Sequence, residues 1–94
     1  MRLHVHFETG NIRVDEIVEG DTAEAVTAKM QARVAQEVGV PMGLMIKKIS
    51  PLLFAQETIK KYNSTMSAST PIPQSCDEFL KIGIEKGFAT PLPS

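Results

Sequence analysis

His4 and His6 stand two residues apart near the start of the chain, and Glu8 continues the same row. His-x-His on one strand face is a zinc-chelating spacing when a third ligand converges, and Glu8 could supply an oxygen. A structural zinc site takes four ligands, and no obvious fourth follows in the sequence. A solvated polar strand face is the simpler reading. Cys76 is the only cysteine. Beside a histidine it could serve as a nucleophile, yet no Gly-rich loop, carboxylate pair or nucleophile elbow accompanies it. Alone, it reads as an inert small apolar residue. It also rules out an internal disulfide, which points to a reducing compartment. The expectation is a protein that is not an enzyme and that holds no metal and no cofactor.

Composition sets the remaining bounds. The 94 residues suit one small domain with a formal charge of -1. A chain of this size buries roughly 60–65% of its unfolded surface, enough for a single thin core. The near-neutral total gives no long-range attraction to nucleic acid or to an acidic membrane. Arg13, Lys47, Lys48 and Lys81 could still form a local basic stripe, although aromatic residues for base stacking are nearly absent beside them. Met1 to His6 alternate without an apolar run, so no secretory signal is expected, and no stretch approaches the ~20 apolar residues of a membrane span. An intracellular protein, cytoplasmic or nuclear, is the natural expectation, with the Asn63-Ser64-Thr65 sequon idle.

The elements that position these residues follow from hydrophobic period. Leu3, Val5 and Phe7 alternate with His4, His6 and Glu8, the signature of a strand with one buried face. Thr9-Gly10-Asn11 supplies a turn into a second strand, with Ile12 and Val14 inward and Arg13 and Asp15 outward. Strict alternation would then bury Glu16 and expose Ile17, so a bulge near Asp15-Glu16 is expected. Asp21 is a good N-cap, with Glu24 three residues on. Val26, Met30, Val34 and Val38 define one face of the helix, which Gly39 and Pro41 end. Leu44 to Ile49 reads as a third strand with Leu44 and Ile46 inward. Met42 and Met45 fill gaps around the helix exit.

After Ile49 the signals divide. Ser50-Pro51 fits either a turn or a helix start with Pro in the first helical position, leaving 52–62 open. Residues 64–76 are rich in Ser, Thr and Pro and predict a mobile inserted loop. Ser64, Thr65, Ser67, Ser69 and Thr70 in it are possible phosphorylation sites. Leu80, Ile82 and Ile84 alternate with Lys81, Gly83 and Glu85 and predict a closing strand. A helix capped by Ser75, with Phe79 joining Leu80, is the alternative. Residues 89–94 read as an irregular tail after a domain spanning 1–88.

Met1, Val5, Thr9, Gly10, Asp21, Thr22, Glu24, Val26, Ala28, Lys29 and Gln31 together resemble the first half of ubiquitin, in register from the start of the chain. Gly39-Val40-Pro41 is similar to the family's helix exit. Leu53, Thr58, Ile59, Tyr62 and Asn63 fall at similar spacings further on. The resemblance implies an α+β, ubiquitin-like β-grasp: a mixed four- to five-stranded sheet around one main helix, with the first and last strands parallel at its centre. It also implies that the sheet face meets another protein, through His4, His6, Arg13, Lys47, Lys81 and Gly83, with Glu8 at the hairpin edge. The family's apolar partner patch is replaced here by Glu8, Lys47 and Gly83, which removes the desolvation gain that ubiquitin receptors use. There is no Gly-Gly pair in the chain, so conjugation is not expected. The resulting expectation is a non-conjugated protein–protein interaction domain. A small nucleic-acid- or metal-binding protein using His4, His6 and the lysines is the alternative.

Overall fold

The computed structural model describes residues 1–9 and 12–93. Strands β1 (Arg2–Thr9) and β2 (Ile12–Glu19) pair antiparallel in an unbroken one-to-one register, from Arg2 opposite Glu19 to Thr9 opposite Ile12. The expected Gly10-Asn11 turn and the inward side chain of Ile12 lie outside the described residues. The expected bulge does not occur. Strict alternation is kept, so Glu16 shares a sheet face with its partner Val5, and Ile17 points the other way. Both outcomes are tolerable because β2 is an edge strand. The Glu16 carboxylate reaches past the edge to accept a hydrogen bond from Arg33 Nε at 3.0 Å, and Arg33 also pairs with Glu37. Ile17 stays 53% exposed.

Helix α1 (Ala23–Val38) starts one residue later than Asp21 would place it. Thr22 is the cap, its Oγ1 accepting from Ala25 N at 3.1 Å. Val26 is fully buried, and Met30 and Val34 pack against the core as their spacing requires. Gln31, off the Val26–Val38 apolar row, is buried as well. Its Nε2 donates to the carbonyls of Ile46 at 2.6 Å and Ile49 at 2.9 Å.

Those two bonds anchor the segment after the helix exit. Leu44–Ile49, expected as a strand, lies mostly in a short helix, α2 (Met42–Lys48), whose C-terminal carbonyls need partners that Gln31 provides. Gly43 sits directly against the Ala35 backbone of α1, which lets the two helices approach closely. Leu44, expected inward, is exposed, while Ile46 and Ile49 face the core. Ser50-Pro51 begins helix α3 (Pro51–Met66), with Ser50 Oγ accepting from Leu53 N at 3.1 Å, so the helical reading of this junction holds. Phe54, Ala55 and Ile59 are its buried face.

Residues 64–76 are not a free loop. Their first turn completes α3, and the rest is tied back by side chains. Asn63 donates to the Thr70 carbonyl at 2.8 Å and accepts from Thr70 N at 3.0 Å, and Gln56 donates to the Pro73 carbonyl at 3.0 Å. The predicted closing strand is helix α4 (Cys76–Glu85). Ser75 Oγ accepts from Glu78 N at 3.1 Å, and Glu78 Oε2 accepts in turn from Gln74 N at 2.7 Å, a near-reciprocal capping arrangement. Cys76, Phe79 and Leu80 are buried, and the Phe79 ring meets Phe54 edge-on.

The third strand comes instead from the expected tail. Strand β3 (Ala89–Leu92) pairs antiparallel with β1, Arg2 opposite Leu92 and Val5 opposite Ala89. The sheet order is β2-β1-β3. Among the described residues the architecture is therefore α+β, a three-stranded antiparallel sheet with four helices, in place of a mixed sheet with a parallel central pair around one helix. Leu3, Val5, Val14, Val18 and Ala89 bury one sheet face against the helices. The other face is open. No helix among the described residues is long and apolar enough to cross a membrane.

Candidate functional site: the open sheet face and the exposed tip of α2

The open face is built by strand parity. His4 and His6 on β1, Arg13, Asp15 and Ile17 on β2 and Thr90 on β3 all point away from the helices, because their neighbours in sequence point into the core. The two histidine rings lie 4.9 Å apart between centroids. His4 reaches diagonally across the pair, its Nε2 2.6 Å from Asp15 Oδ1. His6 Nε2 lies 3.4 Å from Thr90 Oγ1. A depression of about 420 Å³ is lined by His4, Asp15, Glu16, Ile17 and Leu92. It is shallow and open, a contact surface in which two apolar side chains, Ile17 and Leu92, stand among polar ones.

The hydrogen bond from His4 holds the Asp15 carboxyl below the usual carboxylate range. A smaller desolvation cost opposes it, and the His4, His6 and Arg13 charges add to it. A folded-state pKa lowered in this way contributes stability that is present above the unfolded pKa and is lost as pH falls through the folded one. Carboxyl NMR titration is expected to find Asp15 titrating below an ordinary aspartate, with His4→Ala moving it back up. An unchanged titration in that variant would show that the bond is not formed in solution.

Of the residues expected on this face, His4, His6 and Arg13 are there, and Glu8 lies at the hairpin end opposite Arg13. Lys47, Lys81 and Gly83 are not. Their segments are helices, which places Lys47 on α2 and Lys81 and Gly83 on α4, on the covered side of the sheet. The basic stripe of Arg13, Lys47, Lys48 and Lys81 is therefore divided between the two sides. Among the described residues, no group of three or more His, Cys, Asp or Glu converges on a point that could hold a metal ion. Cys76 is in the core, across the sheet from His4 and His6, and burial raises its thiol pKa while Thr27 opposes the shift. A thiol in that state is a poor nucleophile.

A second surface was not anticipated from the sequence. Val40, Met42, Leu44 and Met45 are all exposed around α2, Val40 at 77% and Met45 at 66%. Met42 and Met45 do not fill gaps; they stand in solvent beside Lys47 and Lys48. The available signal was the absence of any Asp or Glu between residues 38 and 56, combined with apolar residues too dense for one face of so short a helix. Comparison with protein-family models, with curated proteins and with solved structures finds no match to this chain.

Proposed function

We propose that this is a protein-recognition domain whose open sheet face meets its partner. The observation that carries the reading is the segregation of the described helices to one side of the sheet, which leaves His4, His6, Arg13, Asp15 and Ile17 as a contiguous surface on paired strands. Charged and polar groups held on paired strands lose little freedom on binding, and they favour partners of complementary charge pattern. Of the ubiquitin-like expectation this reading keeps the use of the sheet face and the absence of conjugation, with Lys47, Lys81 and Gly83 leaving the contact set.

The exposed tip of α2 favours a second reading, in which the partner meets Val40, Met42, Leu44 and Met45. Methionine-rich apolar surfaces adapt to varied partners, and exposed apolar clusters mark interaction sites. Affinity capture separates the two. A His6→Ala/Arg13→Ala/Ile17→Ser variant is expected to lose the partner held by the wild type, while Met42→Ser/Met45→Ser retains it. The opposite pattern moves the site to α2. Retention by both variants would overturn both surfaces.

A further inference from the structure

The two outer edges of the sheet are not alike. β3 is short and carries Pro91, which protects its edge from pairing with another strand. β2 is eight residues long, contains no proline and keeps an unbroken register with β1. Among the described residues, no strand lies beside its outer row of backbone donors and acceptors. A groove of about 280 Å³ is lined by four consecutive β2 residues, Glu16 to Glu19, together with Lys29 of α1. Consecutive residues point to alternate faces, so a cavity touched by all four lies along the strand edge itself.

From this edge we infer that β2 pairs antiparallel with β2 of a second copy, joining two sheets into one of six strands around a two-fold axis. The side chains select both the partner and the register. Registers that place like faces opposite each other preserve a buried side, and along Ile12–Glu19 those centred on Asp15 or Glu16 overlap furthest, while those centred on Val14 or Ile17 pair a shorter stretch. Centring on Asp15 sets that carboxylate against its own copy. Centring on Ile17 sets Asp15 against Glu19 of the partner subunit, twice. Centring on Glu16 sets Arg13 against Glu19 of the partner subunit, twice, Val14 against Val18 of the partner subunit on the helix side, and Asp15 against Ile17 of the partner subunit. Opposite charges and apolar pairs directly across a ladder stabilise it, and like charges do the reverse.

The cost in the favoured register is Glu16 facing its own copy. Each Glu16 already accepts a hydrogen bond from its Arg33 at 3.0 Å, and Lys29 beside the groove adds a second positive charge next to the incoming strand. Glu16 is an inward-pointing charge of the kind that blocks edge pairing when unpaired. With Arg33 and Lys29 beside it, the block is lifted for the one partner that brings the same cations.

Such an edge contact is small, so the dimer is expected to be weak and reversible. Sedimentation equilibrium should show the mass rising toward twice the monomer between ~10 μM and ~1 mM. Arg13→Glu, on an exposed position, should weaken association tenfold or more with thermal unfolding little changed. Cysteine cross-linking then reads the register, with buried Cys76 staying out of the reaction. Glu16→Cys alone should form a disulfide-linked dimer. Asp15→Cys and Ile17→Cys should each fail alone, being offset beyond easy disulfide reach, and should cross-link when mixed. A chain that stays monomeric across that range overturns the inference. So does a dimer that cross-links in another pattern, or one indifferent to Arg13→Glu.

Discussion

Phe79→Ala is expected to cost about 4 kcal/mol of folding free energy, whereas Ile84→Ala should cost less than about 1 kcal/mol. The two residues sit on one ten-residue helix, and both are large and apolar. Phe79 is 6% exposed, in edge contact with Phe54 within the core, and its removal leaves a cavity that the packed helices close only in part. Ile84 is 38% exposed near the last turn of α4, so truncating it mainly changes surface. Urea unfolding measures both. The contrast also tests the element itself. A strand over 80–84 would bury Leu80, Ile82 and Ile84 together, and Ile84→Ala would then be the damaging change of the two. Comparable losses at the two positions would count against the helix.

The second large effect is a reversal of sign. In an ordinary helix interior Gly→Ala stabilises by roughly 0.5–1 kcal/mol, because glycine loses more backbone freedom on folding. Gly43→Ala is expected instead to destabilise by about 2–3 kcal/mol. An added Cβ would overlap the Ala35 carbonyl oxygen and approach the Ala35 carbonyl carbon to 3.3 Å. The obstacle is backbone of a packed helix, which cannot swing aside as a side chain tip can. Relief requires α2 to move off α1, and that stretches the bonds from Gln31 to the Ile46 and Ile49 carbonyls. The urea midpoint should fall with little change in slope, since the surface exposed on unfolding is nearly the same. A variant more stable than the wild type would mean that α2 is not seated against α1.

These two sites bear on the functional surfaces as well. If α2 detaches, the Val40–Met45 tip loses its frame, while the open sheet face and the β2 edge rest on β1, α1 and the core. Gly43→Ala at a temperature where the chain remains folded is therefore a structural control for the capture experiment. Binding through the sheet face should survive it.

Where the sequence was legible, local signals acted alone. The β1–β2 pair follows from period-2 alternation along β1 and the first half of β2, and the polar set His4, His6 and Arg13 on its open face follows from the same parity. Helix α1 follows from its apolar row, with the cap at Thr22 in place of the expected Asp21. The Ser50-Pro51 start of α3 was readable as one of two options, and Ser75 was readable as a cap.

Tertiary structure decided the rest, for reasons that no local window contains. Leu44–Ile49 has the composition of a strand, but Gln31 satisfies the carbonyls of Ile46 and Ile49 in a helix, and Gly43 lets that helix seat against the Ala35 backbone. Leu80, Ile82 and Ile84 alternate as a strand would, yet the space beneath them is shaped by Phe54, and Phe79 fills it only from a helix. The short Ala89–Leu92 segment has little strand character by itself; the unpaired side of β1 makes it one. Lys47, Lys81 and Gly83 left the sheet face with their elements. Glu16, which by itself argued for a bulge, stays in register because Arg33 of α1 stands where the strand edge lets the carboxylate out. Sequence by itself determined which segments carry apolar faces and where the first two strands lie, and it located the start of α1 to within one residue. Which surface each face met, and so which residues remain free to meet a partner, was decided only when the elements competed for the same core.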